Sequence, residues 1–206
     1  MTSGDQRGQA FTLEAVVAAI ILLTAVGFAL QVTIVTPLSA STSSQHIEGQ
    51  QRSVAQGALA SAAEDGSLKD AVLYRNQTAR QFHNTGEQGF YTDDPPDTEF
   101  GEKLDQAFTE QGIAYNVLVR YQVGEKAIDT EEMILQGTPS DNAVSATWTI
   151  SLRNDDHIID EDGSRNETTV RESGRFYIPN GPAQHAGASD HGLYNVVIVE
   201  VIAWRI

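Results

Sequence analysis

The chain contains no cysteine, which excludes a disulfide framework, a thiolate metal centre and a cysteine nucleophile. Lysine is nearly absent too. Of 13 basic residues only Lys69, Lys103 and Lys126 are lysines, against 28 acidic residues, and the formal net charge is −15. A protein that displaces counterions from phosphates needs a basic footprint, so nucleic acid is not expected as a partner. The sequence also lacks a Gly-x-Ser-x-Gly elbow, a phosphate-cradling glycine loop and a His-Glu-x-x-His pair. Among 28 carboxylates a chance dyad is the default, so no enzyme activity and no cofactor are expected. Acid-rich, lysine-poor composition suits very high salt, where carboxylates hold water and screening removes their mutual repulsion. An ordinary acidic extracellular protein is the alternative reading. The 206 residues suit one domain, or one domain with an appendage.

What the chain does have is one long uncharged run, Ala15 to Val35, interrupted only by Thr24, Gly27, Gln31 and Thr33. As a helix it would extend about 31 Å, the thickness of a bilayer's hydrocarbon core. It is apolar all round, where a buried core helix would show a polar stripe. The expectation is a membrane-spanning helix, with −14 of the net charge lying beyond Val35. A secretory signal peptide fits poorly, because the run is too long and Pro37-Leu38 make a mediocre cleavage site. Glu14 stands at the entrance of the run, where a carboxylate costs free energy unless it snorkels or is partnered.

The segment Arg7-Gly8-Gln9-Ala10-Phe11-Thr12-Leu13-Glu14, followed at once by the apolar helix, resembles the class III signal of type IV pilin-like proteins. With the composition, it is similar to the pilin-like proteins of salt-loving archaea. The resemblance implies that a prepilin peptidase cuts on the cytoplasmic side within Arg7, Gly8 and Gln9, leaving the apolar helix on the mature protein. A cut after Gly8 makes Glu14 the sixth mature residue, where the family favours the fifth; a cut after Gln9 restores the fifth. The new α-amine of one subunit could then neutralise Glu14 of its neighbour and set the register of otherwise featureless helices. Ala15/Ala19 and Ala25/Ala29 would permit close helix approach, although in an alanine-rich helix that spacing is weak. Gly27 and Pro37 are places where the helix could bend.

Beyond the apolar run, Ile47, Gln51, Val54, Ala58 and Ala62 fall on one helical face, ending at Glu64-Asp65-Gly66. The expected division is 1–10 leader and cytoplasmic segment, 11–36 transmembrane helix, 37–65 amphipathic helix or stalk, and 66–206 extracellular α+β domain. Further helices are expected at Leu68 to Arg75 and Glu99 to Gln111, the second presenting Phe100, Leu104 and Phe108 on one face. Strands are expected at Ile113 to Val123, Val144 to Arg153, Thr168 to Ile178 and Leu193 to Trp204. Within the last, Glu200 needs a partner or a wet face. The fold class that follows is α+β: a long N-terminal helix, membrane-spanning in its first half and amphipathic in its second, packed on an antiparallel sheet in pilin-like fashion.

Other polar clusters read more simply. Asp156, Asp160 and Asp162 could contribute oxygens to Ca²⁺, but the segment lacks the alternation and the distal bidentate glutamate of a calcium loop, and Asp162-Gly163 reads as a turn. His185 and His191, with Asp190, sit in a Gly/Ala-rich segment that more often lies in solvent than holds a metal. Asn76-Gln77-Thr78 and Asn166-Glu167-Thr168 are N-glycosylation sequons. The expected protein is therefore a single-pass, membrane-anchored, pilin-like structural subunit of an archaeal surface filament or secretion system, with N-terminus cytoplasmic and the acidic domain outside. Its partners would be the lipid bilayer, a prepilin peptidase and other pilin-like subunits. The alternative is a membrane-anchored extracellular binding or adhesion domain that does not polymerise.

Overall fold

The structure is a computed structural model that describes residues 5–123, 127–173, 176–177 and 192–205, with the side chains of 5–11 and 29–44 excepted. The elements in chain order are α1 (Asp5–Glu64), α2 (Ser67–Leu73), β1 (Arg75–Asn76), β2 (Gln81–Phe82), α3 (Glu99–Ala107), a 3₁₀ turn (Thr109–Gln111), β3 (Ile113–Val123), β4 (Ala127–Leu135), β5 (Val144–Arg153), β6 (His157–Ile159), β7 (Arg165–Thr169), α4 (Val170–Ser173) and β8 (Leu193–Arg205). The chain divides into two compact units, Met1–Ile47 and Glu48–Ile206.

This corrects the expected spine. Among the described residues no helix is long and apolar enough to cross a membrane. The described apolar stretch covers 17 residues, 12–28. That stretch carries Thr12, Glu14 and Thr24. The transmembrane assignment of 11–36 and the single-pass, membrane-anchored topology fall with it. Nor is one long helix laid on the sheet: only the turns from Glu48 onward belong to the sheet's unit.

Those turns bury Gln51, Ala55, Leu59 and Ala62. Gln51 and Ala62 of the expected face are buried, but Ala55 and Leu59 take the places expected for Val54 and Ala58. Leu59, the largest apolar side chain available there, is fully buried, while Val54 stays exposed. The helix stops where Gly66 takes φ +90°, a conformation that a side chain disfavours. Asp65 holds this corner by accepting from the Ser67 amide (2.9 Å) and pairing with Lys103 of α3 at 2.8 Å. The Lys103 and Ser67 hydrogen bonds lower the Asp65 carboxyl to about 2. A carboxyl whose native pKa lies below its unfolded value of about 4 stabilises the fold above pH 4, and that contribution is lost as pH falls from about 4 through 2. Titration of Asp65 by NMR is expected to give a midpoint near 2, moving up toward the ordinary value in Lys103→Met.

The main sheet has the order β4-β3-β8-β5, antiparallel throughout. Alternation decides its faces. Tyr115, Val117 and Val119 of β3 and Val197, Val199, Val201 and Ala203 of β8 are buried on the helix side, in one core with Leu59, Leu68, Phe100, Leu104 and Phe108. The β-branched run of β8 is paired on both sides, so it is the central strand its composition suggests. Thr98 caps α3, its Oγ1 accepting from the Gly101 amide at 3.2 Å. The expected strand from Thr168 to Ile178 is replaced by β7, the single turn α4 and a tight turn at Phe176-Tyr177. Two short ladders, β1–β2 and β6–β7, complete the unit.

Candidate functional site

The first candidate is the described stretch of α1 within Met1–Ile47. Leu13, Val16, Val17, Ile20, Ile21, Leu22, Leu23, Val26 and Phe28 are between 47% and 72% exposed. Thr24, the one hydroxyl among them, donates to the carbonyls of Ile20 and Ile21, both at 2.9 Å. Its polarity is thereby spent on the helix's own backbone, and the outward surface stays apolar around the axis. Glu14 is exposed at the N-terminal end of this surface. A contiguous apolar surface of this kind marks an interaction site, since single exposed leucines are ordinary but nine in four turns are not. Arg7, Gly8 and Gln9 lie within the bounds of α1, but their side chains fall outside the described residues.

The second candidate lies in the unit Glu48–Ile206. Arg75 is buried and forms an ion pair with Glu131 of β4. Its guanidinium also donates to the Arg80 carbonyl at 2.7 Å and sits 4.9 Å from the Tyr177 ring centre and 5.6 Å from that of Phe82. Burial pushes the Glu131 carboxyl above its ordinary value although Arg75 pulls it down. Tyr177, fully enclosed, donates to the Val72 carbonyl at 3.1 Å, and burial drives its hydroxyl pKa well up. Its φ of +49° places a bulky residue in the left-handed region, a strain that the surrounding packing holds. The arrangement of these groups locks α2, β1, β4 and the 176–177 turn together, which is a structural task. No local pattern marked them, because Arg75 and Glu131 are 56 positions apart and meet only through the fold.

A third feature is a cleft of about 300 Å³ on the sheet face away from the core, lined by Arg120, Tyr121, Gln122, Ala127, Ile128, Val196 and Ile198. Arg120 is already paired with Glu200 at 2.6 Å, which supplies the partner that glutamate required. Apart from Arg120, Tyr121 and Gln122 the walls are apolar, supplied by Ala127, Ile128, Val196 and Ile198.

The remaining sequence candidates are dispersed. Asp156 pairs with Lys69 (2.6 Å) and accepts from the Arg153 amide (2.7 Å). Asp160 accepts both hydrogen bonds of the Asn166 amide group (2.8 and 2.9 Å), and Asp162 is taken up by Ser164. Ser164's hydrogen bonds also hold the Asp162 carboxyl below its ordinary value. Each carboxylate thus serves its own turn, and among the described residues no group of three or more His, Asp or Glu could hold a metal ion. Asn166 is only half-exposed, with its amide nitrogen engaged, whereas Asn76 is exposed and accepts from the Thr78 and Ala79 amides at 3.0 Å. Of the two sequons, Asn76 is the more accessible. His185, Asp190 and His191 lie outside the described residues.

No curated protein and no solved structure matches the chain. Residues 7–203 match the family described as "Family of unknown function (DUF7288)", a span that includes the exposed apolar helix and all of the four-stranded sheet but the last two residues of β8. With nearly its full length matched, the chain belongs to DUF7288, a family whose function is unknown.

Proposed function

We propose that the protein is a pilin-like structural subunit that works by assembling with like subunits, not by catalysis. The observation that carries this reading is the helical stretch from Leu13 to Phe28, whose apolar side chains are all presented outward behind one carboxylate, Glu14. Such a surface is costly in water, at about 25 cal/mol per Å² of apolar area left uncovered. Packing it against the same segment of neighbouring subunits removes that cost. The preceding Arg7-Gly8-Gln9 supports processing by a prepilin peptidase, which would place a new α-amine within a turn or two of Glu14. Inside a helix bundle that amine neutralises the Glu14 of a neighbour, and the pair sets the axial register that apolar contacts leave undefined.

Mass spectrometry of the chain after co-expression with a prepilin peptidase is expected to show a mature N-terminus at Gln9 or Ala10, with the apolar stretch retained. An intact Met1, or a start near Ala40, overturns the reading. Glu14→Gln is expected to leave processing unchanged and to lower incorporation into assemblies by on the order of tenfold, the loss of one partly buried ion pair of about 1–2 kcal/mol. Unchanged incorporation removes the role assigned to Glu14.

A further inference from the structure

The two edges of the main sheet are built differently. The β4 edge carries Asp129, Glu131 and Glu132, and its far end is met by the loop at Tyr91, whose amide donates to the Met133 carbonyl (3.0 Å) and whose carbonyl accepts from Leu135 (2.8 Å). Charge and a covering loop are the ordinary means of keeping an edge strand from pairing with another chain. Among the described residues the β5 edge has neither along most of its length. From Val144 to Leu152 it holds no charge and no proline, and among the described residues its only strand partner is β8. α4 meets β5 past its end, where the Arg171 amide donates to the Asn154 carbonyl at 3.3 Å. In a chain with 28 acidic residues, nine consecutive uncharged residues on a sheet edge leave a place where another strand can approach without meeting a carboxylate of that strand.

The residue order on this edge has a centre. Reading outward from Trp148, Thr147 answers Thr149, Ala146 answers Ile150, Ser145 answers Ser151 and Val144 answers Leu152. Ser145, Thr147, Thr149 and Ser151 are exposed, whereas Val144, Ala146, Ile150 and Leu152 are buried toward the core. Trp148 lies on the core side of the sheet, opposite Val199, yet it remains 40% exposed. An antiparallel strand laid along β5 with its own Trp148 opposite this one would set hydroxyl against hydroxyl on the outer face. On the core face it would set small Ala146 against larger Ile150. Such matched cross-strand pairs are what stabilise an antiparallel ladder.

From this edge we infer that β5 is a self-complementary docking strand for a second copy of the chain. The two sheets join about a two-fold axis through Trp148 into one of order β4-β3-β8-β5-β5-β8-β3-β4. The axis stands perpendicular to the sheet, so both helical layers fall on the same side and the two Trp148 rings cover each other's exposed faces. Two chains of charge −15 repel, and at this edge there is no carboxylate to bring closer. Screening by salt therefore tightens the dimer, the reverse of an interface held by ion pairs. This interface is independent of the α1 surface and of Glu14.

The absence of cysteine makes the test clean. Full-length Trp148→Cys, Thr147→Cys, Thr149→Cys and, on the other edge, Thr130→Cys are each oxidised with diamide. Directly opposed residues in an antiparallel pair have Cβ atoms about 5 Å apart, near disulfide distance. The expected result is a disulfide dimer with Trp148→Cys alone and a mixed dimer when Thr147→Cys and Thr149→Cys are combined. Thr130→Cys is expected to form no disulfide dimer, although it still associates through β5. In parallel, sedimentation equilibrium of full-length Thr149→Lys is expected to show dimerisation about tenfold weaker than in the unaltered chain, with an unchanged melting temperature, because the side chain is exposed. Equal cross-linking at position 130, no cross-linking at 148, or a dimer indifferent to Thr149→Lys overturns the inference. The Glu14→Gln chain is expected to dimerise normally, so failure of the pilin reading leaves this result standing.

Discussion

Glu131→Ala is expected to destabilise the unit Glu48–Ile206 by about 3–5 kcal/mol, measured as a shift in the guanidinium midpoint, and to do so equally at low and at molar salt. The reason is not the strength of the ion pair it removes. Arg75 is buried, and without Glu131 its charge keeps, among the described residues, the Arg80 carbonyl, the Tyr177 hydroxyl and the Tyr177 and Phe82 rings. Removing one partner of a buried pair costs far more than the pair itself contributes, because the remaining charge can neither return to water nor find a counterion. Replacing both partners with apolar residues of similar size, Arg75→Met with Glu131→Leu, is therefore expected to recover most of the loss. A loss of less than 1 kcal/mol in the single variant would show that the guanidinium escapes to solvent. The salt arm separates this pair from exposed ones such as Lys103–Glu99, whose contribution fades in brine.

Gly101→Ala is expected to cost about 3 kcal/mol and lower the melting temperature by on the order of 10 °C. Gly101 sits in the first turn of α3, where a Cβ would stand 1.9 Å from the Pro96 carbonyl oxygen. The obstacle is backbone, held by two consecutive prolines, and cannot swing aside as a side-chain tip would. Relief requires moving α3, whose Phe100 and Leu104 are fully buried in the core. Gly57→Ala provides the contrast. It lies in α1 with nothing within 4 Å of the added methyl, and there alanine is expected to stabilise the helix by up to about 1 kcal/mol. Thermal melts of the two variants should move in opposite directions.

The α+β class could be read from the chain because period-two and period-3.6 patterns are local. Phe100, Leu104 and Phe108 announced α3, and the alternations of β3 and β5 and the β-branched run of β8 announced three strands with nearly their observed bounds. β4 was not announced. Its Asp129-Thr130-Glu131-Glu132 reads as a solvated loop, and only its place at the sheet edge lets such residues extend as a strand. The core-facing side of α1 was placed correctly at Gln51 and Ala62 and missed at Ala55 and Leu59, because alanines on every side of that helix leave the pattern shallow and packing around Leu59 decided it. The expected transmembrane assignment rested on hydropathy, and among the described residues no helix is long and apolar enough to cross a membrane. Glu14 draws notice in the sequence because it is a lone charge beside an uncharged run, and its role is a proposal. The Arg75–Glu131–Tyr177 cluster and the open β5 edge were not, since both depend on sheet order, which no local pattern encodes.

The position of β8 bears on how the domain comes into being. It is the last of the four strands to be synthesised, yet it is the one that joins β3 to β5, which do not pair with each other. Until β8 emerges, β3 and β5 each expose an unpaired flank, and the uncharged β5 has two. A nascent chain therefore passes through a stage in which its stickiest strand is ready to pair and its proper partner does not yet exist. The long sequence separation of the β3–β8 contacts also predicts slow closure once synthesis has passed residue 205.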